Sequence, residues 1–69
     1  MSHIGKNLLN ALKSKYNAEI ECAKATLNIY TNNSVGIGEH PQHLEEMDKL
    51  LEQIATNNDK LEAIKSLDN

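Results

Sequence analysis

Phenylalanine, tryptophan and arginine are absent from this 69-residue chain, and there is a single cysteine, a single proline and three glycines. Cys22, being alone, excludes an intrachain disulfide framework and a cysteine-based zinc site, two of the usual staples of very small proteins. The glycines Gly36 and Gly38 flank Ile37 without completing GxxxxGK[ST] or GxGxxG, so no phosphate cradle is encoded. No run of 18 apolar residues occurs, and the start Met1-Ser-His-Ile-Gly-Lys6 lacks the apolar segment of a signal peptide. The expectation is a soluble, cytoplasmic protein, and an unpaired cysteine suits a reducing compartment.

What the chain does contain is charge and aliphatic carbon: 39% hydrophobic and 25% charged residues, with ten acids against seven lysines and a net charge of −3. So short a chain buries only about 60% of the surface its unfolded form exposes. Oligomerisation is the remaining source of stability, and a single domain spanning 1–69 is the expected organisation.

Apolar spacing, glycine and proline divide the chain into a helix over about 3–31, a linker over 32–40 and a second helix over about 41–67. Ser2 or Asn7 could cap the first helix, with Gly5 weakening its first turn. Asn32, Asn33 and Gly36 suit its end. Pro41 fits the first position of the second helix, and Glu45, Glu46 and Asp48 place negative charge near its positive pole. Two helices of similar length joined by a short connection predict an all-α antiparallel hairpin, with Val35 and Ile37 closing the core at the turn.

The second helix carries an apolar stripe, Leu44, Met47, Leu51, Ile54, Asn58, Leu61 and Lys65, broadened by Leu50 and Ile64. This is the 3,4 spacing of a coiled-coil seam, in which Asn58, beside Asn57, would fix register if buried. Glu45 with Lys49 and Glu62 with Lys65 are the expected surface ion pairs.

The first helix has two apolar faces. At roughly 100° per residue, Leu9, Leu12, Tyr16, Ile20, Ala23, Leu27 and Tyr30 gather on one side. Ile4, Ala11, Ala18, Cys22, Ala25 and Ile29 lie nearly opposite. One partner helix covers only one of these faces. Ile4, Ala11, Ala18 and Ala25 recur every seven residues, as do Leu8, Lys15, Cys22 and Ile29, and small side chains permit close helix approach. The second face is therefore expected to pair with a second copy, giving a dimeric four-helix bundle with an isologous interface and Ala18 near its two-fold axis if the pair is antiparallel.

Chemical sites are sparse. Glu39, His40, His43 and Glu46 cluster at the start of the second helix, where two histidines and carboxylates could hold zinc. Without HExxH, a capping role for His40 and a surface role for His43 are favoured. Cys22 falls mid-helix on the small-residue face and is read as a packing residue, not a nucleophile. Lys6, Asn10, Lys13, Asn17, Lys24 and Asn28 form one polar side of the first helix, where Lys6, Lys13 and Lys24 could contact phosphates. The lack of arginine, the net negative charge and the absence of an aromatic among these lysines argue against nucleic acid. No catalytic residue, cofactor or metal is expected.

Two resemblances follow from these features. The inferred architecture resembles Rop-type plasmid proteins, which implies RNA binding across paired first helices but matches no motif and transfers no residue. The linker Ser34-Val-Gly-Ile-Gly-Glu-His-Pro41, following Tyr30 and preceding an acidic amphipathic helix, resembles small helical-hairpin proteins predicted from marine bacteriophage genomes. That likeness covers about a sixth of the chain and implies an accessory protein acting on host or virion components. The resulting expectation is a non-enzymatic interaction protein that self-associates and binds a protein partner, with a nucleic-acid-binding dimer as the alternative.

Overall fold

The computed structural model describes residues 2–32 and 41–67, and within the second stretch the side chains from 43 onward. Two helices are formed, α1 over His3–Asn32 and α2 over Pro41–Leu67. They pack against each other as a hairpin. The Tyr30 ring at the end of α1 lies 5.3 Å from the His43 ring at the start of α2. Lys60, late in α2, sits over Tyr16 in the middle of α1, so the helices run antiparallel. The linker residues Val35, Gly36, Ile37 and Gly38, and the candidate ligands Glu39 and His40, lie outside the described residues.

Local chemistry sets the helix starts. Ser2 caps α1: the Gly5 amide donates to its Oγ at 3.0 Å, and the Lys6 amide donates to its carbonyl at 3.0 Å. The first bond satisfies a donor that a helix N-terminus otherwise leaves without a partner and the second is the first regular bond of the helix, so Ser2 rather than Asn7 is the cap. Pro41 opens α2, as its fixed φ and missing amide proton favour. The first turn of α2 contains no acid. Glu45, Glu46 and Asp48 begin beyond it, where the helix dipole has largely faded, which corrects the electrostatic reading of that end.

The seam of α1 follows expectation at Leu9, Tyr16, Ile20, Ala23, Leu27 and Tyr30, all buried or half-buried; Leu12 lies at its exposed margin. Lys13 also enters the interface as a half-buried residue. On α2 the expected seam is corrected. The inward residues are His43, Met47, Leu50, Ile54, Asn57, Leu61 and Ile64. Met47, Ile54 and Leu61 are common to both stripes, but Leu44, Leu51, Asn58 and Lys65 face outward. The helix is rotated by about 50° from the expected face, which brings Leu50 and Ile64 inside and leaves the Lys65 ammonium in water.

The resulting core is thin. Ile20, Ala23 and Ile64 are its buried apolar residues, and Asn57 is buried with them at 2% exposure. The Cα atoms span 53 × 15 × 14 Å with a radius of gyration of 16.0 Å. A compact chain of this length would have about 11 Å. The hairpin is a rod in which most side chains have solvent on one flank. Its surface ion pairs add little. Lys49 pairs with Glu46 at 3.9 Å, not with Glu45 as expected, while Lys65 pairs with Glu62 at 3.3 Å as expected. All four side chains are more than half exposed, so water and salt screen both pairs.

Candidate functional site

The second face of α1 is exposed along the helix. Ile4, Ala11, Ala18, Cys22, Ala25 and Ile29 are all exposed, and so is Leu8. Ile4 and Ile29, near the two ends, are 71% and 66% exposed. With Lys15 these residues occupy 4, 8, 11, 15, 18, 22, 25 and 29, an unbroken alternation of four- and three-residue steps. That spacing keeps a stripe in line along a helix that pairs with another helix. Its direction lies about 130° around α1 from the side covered by α2, at roughly 100° per residue. The exposed thiol of Cys22 sits within this stripe. The Thr26 hydroxyl donates to the Cys22 carbonyl at 2.9 Å.

The opposite flank of the hairpin is polar. Lys13 and Asn17 of α1 line a shallow groove with Asn58, Leu61, Glu62 and Lys65 of α2. Lys6 and Lys24 lie on the same side of α1 and are exposed, whereas Lys13 is half-buried and lines the groove, as do Glu62 and its ion-pair partner Lys65. The three lysines therefore differ in exposure, the middle one being partly covered by the groove it lines. Beyond this groove α2 exposes Leu44 and Leu51, one heptad apart and 63% and 55% exposed. These two leucines were expected inside the seam and are instead a second, smaller apolar feature of the surface.

His43 is half-buried against Tyr30, with the two rings inclined at 55°. That contact assigns it a packing role. Among the described residues no group of three or more His, Cys, Asp or Glu side chains is placed to hold a metal ion. The described helices also include none long and apolar enough to cross a membrane.

Two interhelix contacts went unanticipated. Tyr30 meets His43, and Lys60 Nζ sits 5.1 Å from the Tyr16 ring centroid. The signal for both was the separation of the two tyrosines by two full heptads, which puts them at equivalent seam positions and makes each the natural partner of whatever α2 places opposite. Buried Asn57 was the third omission. Its Nδ2 donates to the Gln53 carbonyl at 2.7 Å, and its Oδ1 finds no donor among the described residues.

Comparison with protein-family models, with curated proteins and with solved structures returns no match in any of the three.

Proposed function

We propose that this hairpin is a non-enzymatic interaction module that self-associates through the Ile4, Ala11, Ala18, Cys22, Ala25 and Ile29 face of α1, assembling four helices from two chains. The single observation that supports the reading is the full exposure of this heptad stripe in a hairpin whose own core is thin. A second copy would cover isoleucine and alanine surface that α2 cannot reach, and burial of such surface is worth roughly 25 cal/mol per Å². With that face covered, Leu44 and Leu51, one heptad apart on α2, remain exposed for a different protein to dock on.

The test is solution mass by light scattering over a dilution series, with helicity followed by circular dichroism on the same samples. The wild type is expected at twice 7.7 kDa. An Ala18→Arg variant is expected to lose the dimer and part of its helicity. Wild-type mass and melting temperature in that variant would remove the case for this face. If the wild type were retained on nucleic acid at low salt, and Lys13→Glu with Lys24→Glu abolished retention, the lysine side of α1 would replace it as the functional surface.

A further inference from the structure

Resting on the self-association proposed above, we infer that two copies pair antiparallel through α1 alone, in the register that sets Ile4 against Ile29 of the second copy, Leu8 against Ala25, Ala11 against Cys22 and Lys15 against Ala18. Three observations lead there. The first is the position of charge. Lys15 is the one charged residue in the stripe, it is exposed, and neither it nor Glu19 forms an ion pair within the hairpin among the described residues. A parallel pair stacks Lys15 on its own copy, and the acid on the flank it then faces, Glu21, is six residues, or about 9 Å, further along the axis. In an antiparallel pair each flank of the stripe meets the same flank of the other copy, so Lys15 lies beside Glu19 of the second copy, twice over by symmetry. Charge complementarity thus chooses the direction.

The second observation is size. The stripe has large residues at Ile4, Leu8 and Ile29 and alanine at 11, 18 and 25. In the stated register Leu8 fills the space left by Ala25, the long Lys15 stem lies across Ala18, and the two isoleucines close each end. All eight positions are then used, over a contact about 38 Å long.

The third observation is the chemistry of α2 on the same side of the hairpin. The groove formed by Lys13 and Asn17 with Asn58 and Glu62 defines one flank. The other flank, which adjoins the stripe, presents Glu46, Lys49, Gln53 and Lys60 from α2, all exposed. A closed four-helix bundle would have to bury these groups. The order α2, α1, α1, α2 leaves them in water and needs only the α1 stripe, whose direction about 130° from α2 suits an open row better than a square.

Cysteine cross-linking reads the register directly, because a disulfide requires Cα atoms about 4.4–6.8 Å apart. Under glutathione disulfide the wild type is expected to stay uncross-linked, since the two Cys22 residues are far apart. Ala11→Cys is expected to give a band at twice the chain mass, lost when Cys22→Ala is added. A wild-type cross-link at Cys22, or a band that survives in Ala11→Cys/Cys22→Ala, would overturn the antiparallel register. Efficient cross-linking of Ala18→Cys in place of Ala11→Cys would overturn it by one heptad. A second arm uses charge: Ala18→Glu, facing Lys15, is expected to keep the dimer that Ala18→Arg loses, whereas parallel pairing would lose both. Light scattering on the same samples separates the two levels of inference. A dimer with the wrong cross-link defeats the register alone, and a monomer at every concentration defeats the self-association reading with it.

Discussion

The ammonium of Lys60 rests 5.1 Å from the centre of the Tyr16 ring, across the middle of the hairpin. The exposed ammonium lies over the face of the half-buried ring, so a charged residue of α2 helps hold the seam at its margin. Lys60→Ala is expected to destabilise by about 0.5–1 kcal/mol. Tyr16→Leu, which keeps the apolar body and loses the π face, should make a further Lys60→Ala change nearly neutral. A double-mutant cycle by chemical denaturation measures the coupling.

Adjacent asparagines offer a sharper contrast. Asn57 is buried with an acceptor left without a donor among the described residues, while Asn58 points to the groove. An orphaned buried acceptor costs about 1–3 kcal/mol. Asn57→Leu should therefore raise the melting temperature, by roughly 4–8 °C per kcal/mol gained in a domain of this size. Asn58→Leu should stay within about 0.5 kcal/mol of wild type. The reverse ranking would mean that α2 is rotated toward the Leu44 and Leu51 side.

At the cap, Ser2→Ala removes the acceptor for the Gly5 amide and is expected to cost about 1 kcal/mol. Ser2→Asp should retain the bond and add favourable charge at the helix start. Hydrogen exchange at Gly5 and Lys6 distinguishes loss of this local bond from a global change.

If the second copy supplies the missing core, thermal stability depends on concentration. Each tenfold dilution should weaken the folded dimer by about 1.4 kcal/mol and lower its melting temperature accordingly. Ala18→Arg should melt at a lower temperature that no longer varies with concentration. Calorimetry over a hundredfold range checks both.

The sequence made the hairpin readable because its punctuation was unambiguous: Pro41 opens α2 where expected, and α1 keeps one seam from Leu9 to Tyr30. It did not settle the rotation of α2. Met47, Ile54 and Leu61 are compatible with two stripes, one adding Leu44, Leu51, Asn58 and Lys65, the other His43, Leu50, Asn57 and Ile64. Each contains one asparagine and two large aliphatic residues, so apolar spacing alone leaves a tie. The tie is broken by contacts that depend on α1: Tyr30 supplies a ring for His43, and burying Lys65 would strip water from an ammonium. The exposed face of α1 was legible for the opposite reason. A helix with two apolar stripes and one neighbour must leave one stripe uncovered, whatever the rotation of that neighbour.

The antiparallel hairpin also grades the cost of making each contact. Tyr30 and His43 close a short loop of chain, whereas Tyr16 and Lys60 enclose far more, and contacts nearer the Ser2 end enclose more still. Loop-closure entropy rises with the length enclosed unless the neighbouring contact nearer the turn has already formed. The rod is therefore expected to assemble from the Tyr30–His43 end, each seam layer shortening the search for the next. Opening is expected to run the other way, from the tip that Ser2 caps.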